Sequence, residues 1–328
     1  MSDKIERLQV TLLCDEHIGM LTLPKAAIES LSAGLVKAAS GVIAVCTVDD
    51  TRVYYKLSLG PPLKWTKIEV ALEDAQWSPF IAPLSDGSAL IVNRYRVDGS
   101  FISGRYVPST GEFQRMRIAD DFAERFETAR AAFQIEDGRV LFVFEEIDSY
   151  EEIAIVALTL HLGTWTHLKD GIFVHKECSS IMMADGNLLF VGGARGGDDL
   201  KSARCVIYDV KKNDMSNVEY MNLNRSHSGI CLMPNGHVFV TGGQTDVGGV
   251  CEEYDPDENE WLLLPRLMPA TVGARCVLID GGKILVAGCD EDASWANFYI
   301  YDVATNKYTD IEAPVDENVW GVEFIPLY

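Results

Sequence analysis

Adjacent carboxylates at Asp120-Asp121 and Glu145-Glu146 have the spacing of a general acid–base pair, in which one group donates a proton while its neighbour stays charged. A chain with 49 Asp and Glu residues produces such neighbours by chance, so adjacency alone assigns no acid–base role. The six histidines, at 17, 161, 167, 175, 227 and 237, show no metal-ligand spacing. GGARGG (192–197) and GGQTDVGG (242–249) have the composition of phosphate-cradling loops. Each, however, follows an apolar strand-like run and leads to another strand-like segment instead of a helix N-terminus. They therefore read as connections inside a sheet. No G-x-S-x-G nucleophile turn occurs.

The elements that hold these residues are repeated. DGNLLFVGG (185–193) followed by CVIYDVKKNDM (205–215) is matched by NGHVFVTGG (235–243) followed by CEEYDPDENEW (251–261). The apolar runs are rich in β-branched and aromatic residues and are punctuated by Asp-Gly or Asn-Gly, which makes each unit a set of short strands. The turn glycines Gly41, Gly87, Gly138, Gly186, Gly236 and Gly281 recur at intervals of 45 to 51 residues. Large apolar markers, Trp65, Phe113, Trp165, Met215, Trp261 and Tyr308, keep the same period. A tyrosine stands seven residues before the marker in four units, at Tyr106, Tyr208, Tyr254 and Tyr301.

Each unit resolves into four strands, a to d, with strand a before the turn glycine, b after it, c leading to Tyr-Asp and d starting at the marker. A four-stranded antiparallel sheet cannot cover both its faces, so consecutive sheets must stack around an axis. The expected fold is all-β, a β-propeller in one domain over 1–328. Its in-chain blades fall at about 31–75, 77–125, 128–174, 176–222, 224–269 and 271–317. The tail WGVEFIPL (320–327) repeats WSPFIAPL (77–84), and the head offers RLQVTLLC (7–14) and GMLTLP (19–24). Seven blades are favoured, the closing one built from about 5–25 plus 319–328; six blades with these strands added at the seam is the alternative. Paired Gly at the end of strand b is expected to let backbones crowd near the axis, and Tyr and Trp to fill the wider outer gap between sheets.

These residues resemble the kelch-repeat family: Gly192-Gly193, Gly242-Gly243, then Tyr208, Tyr254 and Tyr301, then Trp261. Arg225, His227 and Ser228 are similar to the polar opening of a kelch repeat. The resemblance covers about 176–311 closely and 31–175 weakly, where the doublet is replaced by Thr47-Val48, Asn93-Arg94 and Phe144-Glu145. It implies a non-enzymatic scaffold or adaptor that binds another protein. Kelch adaptors of ubiquitin ligases carry an extra domain such as BTB or F-box. About thirty residues before the first repeat hold neither, so any such role is expected to run through separate chains. The E-x-x-x-D-x-x-x-H iron pattern of specifier-type kelch proteins, the sialidase-like S-x-D-x-G-x-x-W box and an assignable galactose-oxidase-like copper set are absent. No cofactor or metal is therefore expected. A propeller enzyme or carbohydrate-binding lectin using the axial pocket is the alternative, and self-association is a third reading.

With 28 Lys and Arg against 49 Asp and Glu, the net charge is −21 at pH 7. A polyanion such as nucleic acid is a poor partner for that field, and a protein with a basic surface is a good one. No apolar run approaches the roughly 20 residues of a membrane helix, and the start MSDKIERLQV lacks an apolar leader, so no membrane contact and a cytoplasmic location are expected. Eight cysteines without C-x-x-C spacing read as small buried hydrophobes.

Alternating strand direction sends the b–c and d–a loops to one face, where aromatic and Arg side chains would anchor a partner. The expected contacts are Arg94, Tyr95, Tyr150, Arg195 and Trp295 on b–c loops, and Trp77, Phe126, His175, Arg225, Arg266 and Trp320 on d–a loops. Trp77 and Trp320 open strand a, so each either contacts the partner or plugs the channel mouth.

Overall fold

The computed structural model describes residues 7–14, 17–24, 38–48, 51–60, 62–68, 80–84, 86–92, 103–107, 109–116, 129–145, 152–160, 164–195, 200–245, 249–264, 272–279, 281–289, 296–314 and 319–327. Among these residues there are six four-stranded sheets. In the order a to d, blade 1 is Val319–Leu327, Gly41–Val48, Thr51–Ser58 and Lys64–Ile68; blade 2 is Phe80–Pro83, Ala89–Val92, Ser103–Val107 and Glu112–Met116. Blade 3 is Ala129–Gln134, Val140–Glu145, Glu152–Thr159 and Thr164–Phe173; blade 4 is Ser179–Met182, Leu188–Val191, Cys205–Asp209 and Asp214–Asn217. Blade 5 is Gly229–Leu232, Val238–Thr241, Glu252–Asp255 and Glu260–Leu263; blade 6 is Val272–Ile279, Lys283–Cys289, Ala296–Asp302 and Lys307–Ile311.

The a–b turns follow directly from the sequence. Asp86, Asp137, Asp185 and Asn235 each accept at Oδ1 the backbone N–H two residues on, at 2.9, 3.0, 2.9 and 3.1 Å. The following glycines take φ of 82°, 85°, 83° and 87°, where a Cβ is disfavoured. The c–d turns are equally regular. Tyr208, Tyr254 and Tyr301 donate their hydroxyls to the Oδ1 of Asn213, Asn259 and Asn306 at 2.8, 2.9 and 2.5 Å. Those asparagines hold φ of 54°, 54° and 52°, a conformation Asn tolerates better than other non-glycine residues.

Apolar clusters join each blade to the next all the way round. Ile43, Val45 and Tyr54 pack with Ala89, Ile91 and Tyr106 between blades 1 and 2. Leu90 meets Phe142 and Val156 between blades 2 and 3, and Leu141 and Ile155 meet Phe190 and Tyr208 between blades 3 and 4. Leu189 and Val191 meet Val240, Tyr254 and Trp261 between blades 4 and 5; Phe239 meets Ile284 and Tyr301 between blades 5 and 6. The circle closes where Ala287 and Phe298 of blade 6 pack with Ala44, Cys46 and Val322 of blade 1.

Among the described residues the count is thus six, the alternative of the sequence reading instead of the seven it favoured. The tail is a strand a, as its likeness to 77–84 implied, but it is the strand a of blade 1. It runs antiparallel along Gly41–Val48 from Gly41↔Leu327 to Val48↔Val319. Its one partner among the described residues is thus strand b of blade 1, and no described strand of the head pairs with it. Arg7–Cys14 and His17–Pro24 instead form their own two-stranded hairpin. The seam is built like an ordinary blade contact: Trp65 Nε1 donates to Glu312 O at 2.9 Å, as Trp261 Nε1 donates to Glu219 O at 3.0 Å between blades 4 and 5. Among the described residues no helix is long and apolar enough to cross a membrane.

Candidate protein-binding face

The loop-rich face is described mainly at blades 4 and 5, where consecutive loops are interlaced by backbone hydrogen bonds. Ala194–Arg195 pairs with Leu200–Lys201, and Arg225–Ser226 with Gln244–Thr245. Ala194 N donates to Lys176 O at 2.7 Å, Gly193 N to Arg225 O at 2.8 Å, and His227 N to Glu177 O at 3.1 Å. Each b–c loop is thereby held against the d–a loops beside it. The glycine doublets make this possible. Gly193 and Gly243 stand at φ of 102° and 84°, and a Cβ on either would run into the carbonyl oxygen of Lys176 or Ser226. The crowding is thus against the d–a loop backbone.

Beneath the platform lies a buried polar cluster that stitches blade 4 to blade 5. Arg225 and Glu252 are both fully buried, and Arg225 Nη2 donates to Glu252 Oε1 at 2.7 Å. Burying two charges is costly unless their lone pairs and protons find partners; most do so here, although Arg225 Nε has none among the described residues. Glu252 Oε2 accepts from Asn222 N at 2.6 Å and Asn222 Nδ2 at 3.0 Å, while Oε1 also accepts from Leu223 N at 3.3 Å. Arg225 Nη1 donates to the carbonyls of Gly242 and Val250 at 3.0 and 3.2 Å. The preceding unit places His175 and Val206 at the equivalent positions. There, His175, Val206, Arg204 and Gly192 line only a crevice too narrow to hold a water molecule.

Arg225 is a correction to the expected contact set: its side chain has no exposed surface to offer a partner and holds the loops together instead. His175 is likewise buried, at 8% exposure, in the same layer. Arg195 lies in the Ala194–Arg195 ladder. Trp320 is the extra residue of a bulge between Thr47↔Gly321 and Val48↔Val319, where the closing strand starts on this face. For both, only the backbone is described. Trp77, Arg94, Tyr95, Phe126, Tyr150, Arg266 and Trp295 lie outside the described residues.

What the platform presents outward is a different set. Leu200 is 60% exposed on the blade 4 b–c loop. His227 and Glu177, on consecutive d–a loops and both at positive φ, face each other at 3.4 Å with Nδ1 toward Oε2. Sequence reasoning missed Leu200 and Glu177, as it missed Glu252 and Asn222; it had His227 on the d–a loop, in the polar opening of the repeat. One signal was available for Glu252. It stands two residues before Tyr254, so strand alternation puts both on the same inward face, and an inward carboxylate requires a cation.

The described cysteines are free thiols, with Cys46, Cys205, Cys231 and Cys251 buried. Burial pushes the thiols of Cys205 and Cys231 up to about 12, which suits packing and not nucleophilic work. Among the described residues no three His, Cys, Asp or Glu side chains converge to hold a metal.

No protein-family model matches the chain. Curated relatives do. The chain is 30% identical to Kelch-like protein 26 of Mus musculus over 108 residues, covering 31% of this chain and 18% of that protein. It is 28% identical to Kelch-like protein 41a of Danio rerio over 176 residues, 51% of this chain and 28% of that protein. An F-box/kelch-repeat protein of Arabidopsis thaliana is 28% identical over 133 residues, 39% of this chain and 35% of that protein. The fold is a β-propeller whose repeats are similar to those of kelch-repeat proteins. The chain spans about a third or less of the length of these relatives. In this propeller the glycine doublet and the tyrosine that carried the resemblance have separate parts. The doublet seats the loop platform, and the tyrosine locks the c–d turn at the opposite end of the blade.

Proposed function

We propose that this kelch propeller is a non-enzymatic scaffold or adaptor that binds a protein with a basic surface through the face formed by its b–c and d–a loops. The observation that carries this reading is the interlaced platform of blades 4 and 5. A loop surface tied down by backbone hydrogen bonds and by the buried Arg225–Glu252 pair loses little freedom on binding, so more of the contact energy remains as affinity. The net charge of −21 favours a basic partner through faster encounter. Of the expected contacts, Trp77, Arg94, Tyr95, Phe126, Tyr150, Arg195, Arg266, Trp295 and Trp320 stay in the proposal, and Leu200, Glu177 and His227 join them.

The test is an affinity purification from the native cell, followed by reconstitution with the purified partner. Arg94→Ala combined with Arg195→Ala, which removes two anchoring side chains without adding negative charge, should weaken capture while leaving the thermal midpoint within a few degrees; Arg225 is excluded because its loss would unfold the loops. Undiminished capture by the double variant would move the interface elsewhere. Tight one-to-one binding of a sugar or a metal ion would favour the enzyme or lectin reading instead.

A further inference from the structure

Strand d is the outer edge of every blade, and free edges are usually protected by charge. Lys64 and Lys67 in blade 1, Glu112 and Arg115 in blade 2, and Lys307 and Asp310 in blade 6 do this, all of them exposed. Blade 5 departs from the pattern. Its edge, Glu260–Leu263, presents Leu262 and Leu263 at 50% and 55% exposure, and Tyr220 beside it is 56% exposed. Tyr220 is held there because the carbonyl of the preceding residue, Glu219, accepts the Trp261 indole.

The backbone of this edge is directed outward where it matters. Leu264 N donates to Cys251 O at 2.9 Å, so residues 262 and 264 turn their hydrogen-bonding groups toward strand c, and 261 and 263 turn theirs away. Asn222 Nδ2 takes the Trp261 carbonyl at 3.0 Å. Among the described residues nothing else pairs with the edge, which leaves the N–H and C=O of Leu263 for a further strand. The surroundings are acidic: Glu219, Asp257, Glu258 and Glu260 are exposed, and neither 213–224 nor 251–264 contains a Lys or Arg.

We propose that the outer edge of blade 5 is a docking strand for an extended segment of a partner protein that alternates basic and apolar residues. Backbone pairing at Leu263 would supply register. Apolar side chains would cover Leu262 and Leu263 on the two faces, and cations would meet the glutamates. Charge argues against a second copy of this chain as occupant. Two copies, each carrying −21 and each lining this edge with exposed Glu219, Asp257, Glu258 and Glu260, would repel one another. The surface lies on the rim of the ring and is independent of the loop-rich face.

The probe is a fluorescein-labelled octapeptide alternating lysine and valine, followed by fluorescence anisotropy at moderate salt. The protein should bind it, and Leu262→Ser with Leu263→Ser should weaken binding by at least about tenfold, each half-exposed leucine being removed without changing charge. N-methylation of alternate peptide nitrogens, which removes the donors that a strand needs, should weaken it comparably. Thr66→Ala, on the exposed outer strand of blade 1, should leave it unchanged. The proposal is overturned if the peptide does not bind, if the methylated peptide binds equally, or if the serine variants bind as well as the parent. It is also overturned if light scattering finds a dimer that the serine variants dissociate.

Discussion

Replacing Glu252 by Gln keeps the shape of the side chain and removes only its charge, which isolates what the buried carboxylate does. Its two oxygens accept four hydrogen bonds: from Arg225 and Leu223 at Oε1, and from the backbone and side chain of Asn222 at Oε2. An amide has one acceptor oxygen, so in either orientation two of these donors face an NH2 group. Each buried donor left unsatisfied costs roughly 1–3 kcal/mol, and the fully buried guanidinium also loses its counter-charge. The combined loss is expected at about 3–5 kcal/mol, the range for breaking one side of a buried ion pair. Arg225→Met should cost a similar amount. Arg225→Met combined with Glu252→Leu should be less damaging than the two single changes added together, because the double variant strands no charge. Urea unfolding followed by tryptophan fluorescence reads all of these, with exposed Glu258→Gln as a control expected within about 0.5 kcal/mol of the parent. If Glu252→Gln is within about 1 kcal/mol of the parent, the pair does not hold blade 4 to blade 5 and the account of the platform fails.

Asp137→Asn tests the turn charge separately from the turn geometry, since Asn235 shows that the amide forms the same loop. The hydrogen bond from Arg139 lowers the Asp137 carboxyl below its ordinary value of 3.8, so its contribution is present above that pH and is lost as pH falls through the folded value. With half the aspartate side chain exposed, a thermal-midpoint gap equivalent to no more than about 0.5 kcal/mol is expected at neutral pH, and it should close below pH 3.8; a gap that widens in acid would contradict the assignment. Closure of the ring is tested by deleting residues 319–328 as a block. Loss of that strand strips the partner from Gly41–Val48 and opens the apolar contact of Val322 with Ala287 and Phe298. The shortened chain should lose its cooperative thermal transition in circular dichroism, whereas a stable, cooperative product would show that the seam is dispensable.

Much of the blade was legible because its signals are local. Asp185-Gly186 and Asn235-Gly236 specify a tight turn through their own side-chain and φ requirements, and Tyr208, Tyr254 and Tyr301 repeat at one period because each fills the same buried place. The matching asparagines at 213, 259 and 306 were equally visible, five residues after each tyrosine. Arg225 was misplaced for a different reason. Its position on a d–a loop was right, but a loop residue reads as exposed unless its partner is known, and Glu252 lies 27 residues away on the next blade. The blade count failed on similar grounds: the tail announced itself as a strand a, and nothing local says which blade receives it.

The amino-acid order by itself determined the repeating unit, its four strands, its turn chemistry and the strong negative charge, since each depends on residues a few positions apart or on a simple total. Only the tertiary structure decided that the ring has six blades, that the tail completes the first of them, and that Arg225 lies inside while Leu262 and Leu263 lie outside. Those outcomes depend on which surfaces meet across dozens to hundreds of residues, where hydrogen-bond registry and the cost of burying a charge select one arrangement among several that the same local pattern permits.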